Sequence, residues 1–254
     1  MLYSCSGCKS FSTQPLGKII TDDKSIKYKP AIGPPVDREC AFCGWTHHIG
    51  GPIWLDPIHD LNFVKDVLTS LDVESHQYKT VDRLNGILTM ITEELQDVPL
   101  HYTTQQLCTT LNTSMPKTQK LWSAIKNAGY KVSYSHTDKS SLKTNMPSDI
   151  MWDFMKCYAR SDEAISKIPS EQSPGHKIVS TPIKFVADFT LREGVLPMSK
   201  VDNMKRFPEN PPNWGPQSRA KKNKKRSNSS QDENISELQD DKKVRQETNN
   251  ESLQ

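Results

Sequence analysis

Four of the six cysteines form two closely spaced pairs near the start of the chain. Two residues separate Cys5 from Cys8, and two residues separate Cys40 from Cys43. A spacer of this length lets both thiolates of a pair face one ion, and two such pairs complete a tetrahedral set of sulfur ligands. We therefore predict a zinc site at these four residues. Because four thiolates leave no open coordination position, this zinc is expected to be structural and not catalytic.

Histidines near the cysteines leave other interpretations open. His47 or His48 could replace one thiolate, or the cysteines could be reduced thiols that hold no metal. A metal hydrolase could use the same two histidines together with His59 and Asp60. The sequence contains no His-Glu-x-x-His helix or comparable ligand spacing, which disfavours that hypothesis.

The composition divides the chain into a folded part and a polar tail. With 254 residues, 34% of them hydrophobic, the chain is long enough to bury a sizeable core. Apolar residues are scarce over 208–254, which predicts a disordered tail because too little surface can be buried to offset the entropy of ordering. The tail contains a basic run over 219–226, made up of Arg219, Lys221, Lys222, Lys224, Lys225 and Arg226. This run is typical of a nuclear-import or nucleic-acid-binding patch, with a solvated linker as the plainer alternative.

The sequence contains neither a membrane-spanning run nor a secretion signal. No stretch of about 18 consecutive apolar residues occurs, and the first residues lack the basic-then-apolar order of a signal peptide. We expect a soluble intracellular protein of the nucleus and/or cytoplasm that makes no membrane contact. Paired cysteines in such reducing compartments favour metal binding over disulfides.

Apolar periodicity predicts helices over 60–71 and 80–96, the first capped by Asp60. A further helix is expected from Ser148 onward. Alternating apolar residues predict a half-buried strand over 184–191.

Between these segments, near 100–160, the order of elements is that of a winged helix. Thr103 and Gln106 have the spacing of a capping box that would open a short helix. A second helix is expected from Pro116 to Gly129, followed by two strands that form a wing. The predicted fold class is therefore α/β (α+β). It comprises a zinc knuckle or ribbon over 1–50, then a domain over 51–207 with a helical segment and the winged-helix-like unit with its small sheet.

Several segments together are similar to one protein family. They are residues 3–8, 40–44, 50–60 (Gly-Gly-Pro-Ile-Trp-Leu-Asp-Pro-Ile-His-Asp), 92–95, 134–136, 142–144 and 206–216. In this order they resemble the C-terminal half of the eukaryotic tRNA (guanine-26-N2) dimethyltransferases, and the resemblance covers roughly residues 1–216.

The resemblance implies an enzyme family that transfers methyl groups from S-adenosylmethionine to a guanine amino group in tRNA. The family binds S-adenosylmethionine on a Rossmann-like domain that precedes the cysteines. No glycine-rich loop follows a predicted strand in this chain, so we expect the catalytic methyltransferase domain to be missing and the chain alone to be inactive. S-adenosylmethionine is then expected to be a cofactor of full-length family members only. For full-length forms, a mitochondrial location is an alternative to the nucleus and cytoplasm.

The resemblance also implies that residues 51–207 bind and position tRNA. The predicted phosphate or sugar contacts are His136, Lys139, Lys143, Arg206 and the basic run 219–226. Trp54 and Trp214 are expected to pin loops to the core, with base stacking as the alternative. A non-enzymatic zinc-containing module that binds nucleic acid or protein is the competing functional hypothesis.

Overall fold

A computed structural model describes residues 1–74 and 77–207 of the chain. Seven helices and eight strands lie in this part. The predicted tail over 208–254, with its basic run and Trp214, lies outside the described residues. No helix within the described ranges is both long enough and apolar enough to cross a membrane.

The N-terminal segment forms a small antiparallel sheet. Strand β1 (Leu2–Cys5) lies between β2 (Phe11–Thr13) and β5 (His47–Gly50). Along the chain between β2 and β5, strands β3 (Gly17–Asp22) and β4 (Ser25–Pro30) form a separate exposed hairpin. This arrangement brings the first cysteine pair at the end of β1 next to the second pair, which immediately precedes β5.

Two packed helices follow the sheet. Helix α1 (Leu61–Val73) begins after Asp60, whose side chain accepts hydrogen bonds from the backbone of Asn62 and Phe63 at 2.9 and 3.2 Å. Helix α2 (Val81–Glu93) packs against α1. Both helices and the Asp60 cap were predicted from the sequence, and their ends differ from the prediction by one to three residues.

The segment over 102–159 combines three helices with a three-stranded sheet. Its elements, in chain order, are β6 (Tyr102–Thr103), α3 (Thr104–Leu111), α4 (Thr118–Asn127), β7 (Val132–Ser135), β8 (Asp138–Thr144) and α5 (Ser148–Ala159). The strands pair antiparallel in the order β6-β8-β7. The predicted order of two helices and a strand pair is confirmed, whereas the winged-helix assignment stays a prediction.

Local details of this segment differ from the prediction. The Thr103 side chain makes no capping hydrogen bond, so the expected capping box with Gln106 does not form. Helix α4 begins at Thr118, which places Pro116 before the helix and outside its first turn. The helix ends close to Gly129, whose φ of 84° is a conformation that favours glycine.

The core lies between α3, α4, α5 and the β6-β8-β7 sheet. Its most deeply buried side chains are Leu111, Leu121, Ile125, Leu142, Met151, Phe154 and Met155. Helix α5 is buried along most of its length, which includes an ion pair between Asp153 and Lys156. The β6-β8-β7 sheet is therefore held in place by a helical core.

The predicted strand over 184–191 is wrong. These residues form no strand and lie between α6 (Pro174–Ser180) and α7 (Met198–Val201). The backbone N–H groups of Lys184 and Phe185 donate to Asp153 at 3.0 and 2.9 Å, in place of a neighbouring strand. The apolar alternation has another cause, since Phe185 stacks on Phe154 of α5.

Candidate metal centre and basic cleft

The four paired cysteines converge at the N-terminal sheet. Their Sγ atoms all lie within 4.8 Å of one another. Cys5 Sγ lies 3.3 Å from Cys43 Sγ, and Cys8 Sγ lies 3.7 Å from Cys40 Sγ. Each cysteine is at most 5% exposed. The two sequence pairs are thus brought together as one cluster that could hold a metal ion.

Tight turns present the thiols to the interior of the cluster. The Gly44 N–H donates to the Cys40 carbonyl at 2.8 Å, and Gly44 has a φ of 79°, which glycine adopts without strain. In the first pair, the Cys8 N–H donates to Cys5 Sγ at 3.5 Å. Backbone N–H groups that point at sulfur stabilise thiolate charge in such turns.

Burial and mutual contact oppose the simultaneous ionisation of Cys8, Cys40 and Cys43. The contact with Cys40, together with burial, raises the pKa of Cys8, whereas the same contact lowers the pKa of Cys40. Burial raises the pKa of Cys43 to about 11. A divalent cation removes this conflict because it binds the deprotonated sulfurs and compensates their charge. The donor set therefore fits a tetrahedral zinc ion.

The cysteine cluster is connected to the helical core through Ser10. The Ser10 hydroxyl accepts hydrogen bonds from the Cys8 thiol at 3.3 Å and from the indole N–H of Trp152 at 2.9 Å. His47 and His48 lie on β5, next to the cluster, but only the cysteines contribute to it in the described residues.

A basic cleft lies on the β7 side of the β6-β8-β7 sheet. Its volume is about 700 Å³. The lining cations are Arg83, Lys139, Lys200, Lys205 and Arg206. No acidic residue lines the cleft in the described part of the chain, which leaves a positively charged concave surface.

Arg206 is the best-positioned cation of this cleft. Its guanidinium lies 4.7 Å from the ring centroid of Tyr134, and its Nη1 atom is buried with no hydrogen-bond partner among the described residues. Backbone packing sets its place, because a Cβ at Gly86 of α2 would lie only 2.5 Å from the Lys205 carbonyl oxygen. A buried guanidinium N–H without a partner favours an anionic ligand.

Of the predicted RNA contacts, Lys139 and Arg206 both line this cleft. Lys143 is placed differently, since its ammonium is buried and lies 2.7 Å from Glu94 Oε1. His136 Nδ1 lies 2.7 Å from Glu94 Oε2. In this arrangement the Lys143 ammonium is buried against Glu94 and is not presented at the surface.

Glu94 was missed by the sequence analysis. Burial alone would raise the pKa of Glu94, but hydrogen bonds from Lys143 and His136 outweigh burial and hold the pKa below its usual range. The signals in the sequence are the Glu93-Glu94 pair at the end of an otherwise amphipathic helix and the place of Glu94 in the family-like segment 92–95. The expectation for Trp54 was wrong, because its side chain is 70% exposed and does not pin a loop to the core.

Comparison with known proteins places the chain in a family of RNA-modifying proteins. The family described as N2,N2-dimethylguanosine tRNA methyltransferase matches residues 1–156, a match that includes the cysteine cluster, Tyr134 and Lys139. The chain belongs to this family, which confirms the prediction made from the sequence motifs.

Individual relatives match over most of the chain. The mouse (Mus musculus) tRNA (guanine(26)-N(2))-dimethyltransferase is 41% identical over 223 residues, which are 87% of this chain and 34% of the mouse protein. The human (Homo sapiens) protein of the same name is 39% identical over 245 residues, 96% of this chain and 37% of the human protein. The chain thus spans about a third of the length of these relatives.

One solved structure is similar to part of the chain. It is the complex of Trm1 from Pyrococcus horikoshii with S-adenosyl-L-methionine, at 25% identity and a TM-score of 0.38. The match covers 53% of this chain and 33% of the archaeal chain. A TM-score this low does not define a shared fold.

Proposed function

We propose that this chain is the tRNA-binding part of a tRNA (guanine-26-N2) dimethyltransferase. Such an enzyme methylates the N2 amino group of a guanine in tRNA and takes the methyl groups from S-adenosylmethionine. An N2 amino group within a stacked or paired nucleotide is accessible only when the base is displaced. A firm hold on the surrounding RNA is therefore part of catalysis, and we assign this role to the chain.

The basic cleft is the main support for tRNA binding. Five cations line it, and of these Lys205 is ion-paired with Asp82 at 2.7 Å. The other four, Arg83, Lys139, Lys200 and Arg206, form no ion pair within the described residues and attract phosphate. Lys139 and Lys200 are exposed at the cleft, where their ammonium groups can donate to phosphate oxygens, and Arg206 adds positive charge beside them. A concave surface with these properties suits a nucleotide with its phosphates better than an apolar ligand.

Zinc at the four-cysteine cluster would serve this role indirectly. It supplies a structural cross-link between β1 and the turn before β5, with Cys5, Cys8, Cys40 and Cys43 as ligands. Ser10 joins the cluster to Trp152 of the core: with zinc bound its hydroxyl would donate to the Cys8 thiolate while it accepts from the Trp152 indole N–H. We infer that the metal fixes the N-terminal sheet and takes no part in methyl transfer.

We assign methyl transfer to a separate S-adenosylmethionine-binding domain. All strand pairs in the described residues are antiparallel, whereas Rossmann-like folds are built on a parallel sheet. The chain alone is therefore expected to transfer no methyl groups. The methyltransferase domain, like tRNA, is a proposed partner.

Binding of labelled, unmodified tRNA to the chain tests this proposal. We expect salt-dependent binding of tRNA in preference to a DNA duplex of similar length, with no methyl incorporation from labelled S-adenosylmethionine. The Arg206→Gln variant should bind more weakly, while Lys131→Gln, which removes a cation outside the cleft, should bind as the parent chain does. Equal affinity for DNA would favour a general nucleic-acid-binding module. Methyl incorporation would contradict the assignment to a separate domain.

A nuclear location is proposed on the basis of the run 219–226, which lies outside the described residues. A fluorescent fusion of the chain should accumulate in the nucleus, and replacement of the six cations of the run by Gln should leave it in the cytoplasm. Unchanged nuclear accumulation in the variant would contradict the assignment of the run as an import signal.

A further inference from the structure

Three potential metal ligands meet at a second place, away from the cysteine cluster. His59 lies just before α1, Glu94 directly follows α2, and His136 lies in the turn between β7 and β8. Their candidate ligand atoms all lie within 4.8 Å of one another. Chain segments far apart in sequence thus supply one nitrogen, one oxygen and one further nitrogen to the same point.

The contacts among these atoms cannot all be favourable hydrogen bonds. His136 Nδ1 lies 2.7 Å from Glu94 Oε2 and 3.4 Å from His59 Nε2. If His136 Nδ1 carries a proton, it donates to Glu94, and His59 Nε2 is left with only a long, shared contact. If His59 donates instead, the lone pair of His136 Nδ1 faces the carboxylate. A single cation at this point would accept lone pairs from all three atoms.

The placement of the two imidazoles suits a pair of ligands. His59 Nε2 lies 3.4 Å from His136 Nδ1. The two rings meet edge to face, with 4.8 Å between centroids and 78° between planes. In this arrangement the candidate ring nitrogens still lie within 4.8 Å of each other and of the Glu94 carboxylate.

The carboxylate of Glu94 is held in place by the opposite oxygen. Lys143 donates to Oε1 at 2.7 Å, and the Glu94 side chain is only 2% exposed. Oε2 accepts one hydrogen bond from the His136 backbone N–H at 3.0 Å, which leaves its second lone pair directed at the histidines. Such fixation of a ligand by an outer hydrogen bond is typical of metal sites in proteins.

We propose that His59, Glu94 and His136 bind a divalent transition metal, with zinc as the best match to two imidazoles and one carboxylate. This site goes beyond the proposed function and does not depend on it. Three protein ligands leave at least one coordination position open, and the 25% exposure of His136 gives solvent access to it. Water or an anion such as a phosphate would complete the coordination sphere.

Zinc at this site would connect three segments that are otherwise joined only by side-chain contacts. The start of α1, the end of α2 and the β7–β8 turn would share one ion. Because the ion binds the folded state and not the separated segments, zinc is expected to raise the unfolding temperature of the chain.

The test is a zinc titration of the chain after the cysteine cluster has been filled with one equivalent. We expect a second equivalent to bind, the unfolding temperature to rise, and the imidazole ¹⁵N resonances of His59 and His136 to shift. The variants His59→Gln and His136→Gln should stop at one equivalent and lose the temperature rise. A matched control, His176→Gln, alters a histidine outside the triad and should still bind two. His59 lies in a partly exposed loop, so His59→Gln reports on binding in a folded chain even if His136→Gln is destabilised.

The metal ion at the triad is distinguishable from the metal ion at the cysteine cluster by its ligands. Cobalt(II) bound to thiolates gives a strong charge-transfer absorption, whereas a histidine and carboxylate site gives only weak ligand-field bands. Absence of the thiolate band would overturn the zinc site at the cysteines and leave the triad untouched. Unmoved imidazole resonances in the parent chain, or a second equivalent retained by both triad variants, would overturn the triad site.

Discussion

Lys156 and Asp153 form a buried ion pair whose loss should be costly. Their side chains are 3% and 10% exposed, and Lys156 Nζ lies 2.8 Å from Asp153 Oδ1. Lys156 also donates to the Thr181 and Pro182 carbonyls at 3.4 and 3.1 Å. Asp153 in turn holds the backbone of Lys184 and Phe185. The pair therefore anchors the segment that follows α6 onto α5.

The variant Lys156→Met removes one partner and leaves the buried carboxylate. Loss of one member of a buried pair costs about 3–5 kcal/mol. Asp153 keeps two backbone N–H donors, so we expect the lower end, about 3 kcal/mol, which corresponds to a decrease of about 6–12 °C in the unfolding temperature for a unit of this size. The matched control is Lys131→Met, since the ion pair of Lys131 with Asp97 is 62% exposed on both sides. This control should cost about 0–1 kcal/mol.

The loss of unfolding free energy in Lys156→Met should become smaller as pH falls. Burial alone would raise the pKa of Asp153, but the hydrogen bond from Lys156 and those from the backbone hold it below its ordinary value of 3.8. A depressed pKa contributes stability above the unfolded-state value, and this contribution is lost as pH falls. The difference between the parent chain and Lys156→Met should therefore be full at pH 7 and shrink below pH 3.8.

Urea denaturation at several pH values measures these free energies of unfolding, and hydrogen exchange reports on the Lys184 and Phe185 amides. We expect both amides to exchange faster in Lys156→Met. A variant as stable as Lys131→Met, with unchanged protection of these amides, would refute the anchoring role.

Three further predictions concern the metal centre, the cleft and pH. Cys40→Ser should abolish binding of zinc at the cysteine cluster and change the fluorescence of Trp152, which elemental analysis and emission spectra would detect; retention of one cluster-bound zinc would count against the site. Alanine favours a helix more than glycine does, but in Gly86→Ala the added Cβ would clash with the Lys205 carbonyl. Urea denaturation should therefore show a loss of about 1–3 kcal/mol in the free energy of unfolding, and tRNA binding should weaken. A stabilised variant would contradict this packing. Burial lowers the pKa of His101 below 6.5, so the free energy of unfolding should fall as pH drops below that value. His101→Gln should make the free energy of unfolding depend less on pH. An equal slope of unfolding free energy against pH in both chains would be inconsistent with this assignment.

Local sequence signals predicted much of the fold. Helices α1 and α2 follow from apolar periodicity and the Asp60 cap, because these signals act within a few residues of one another. The cysteine cluster was predictable because metal binding restricts the spacing within each pair. The strand expected over 184–191 was wrong because alternating contacts with α5 produce the same apolar pattern as a strand.

Long-range side-chain partners could not be predicted. Glu94 finds Lys143 on β8 and His136 in the β7–β8 turn, and nothing in their separate sequence surroundings indicates this pairing. The basic cleft likewise combines α2, α4, β7, β8, α7 and the residues after α7. Sequence analysis identified Lys139 and Arg206 as separate candidates, and only the fold places them on one surface with Tyr134.

The salt dependence of tRNA binding tests the central claim most directly. Each cation that contacts a phosphate contributes roughly one unit to the slope of log affinity against log salt concentration. The variant with Lys139, Lys200 and Arg206 all replaced by Gln should lose about three units of slope. A control with the same charge change, at the exposed Lys65, Lys131 and Lys167, should keep the parent slope. Equal slopes for the cleft variant and the control would contradict tRNA binding by the cleft.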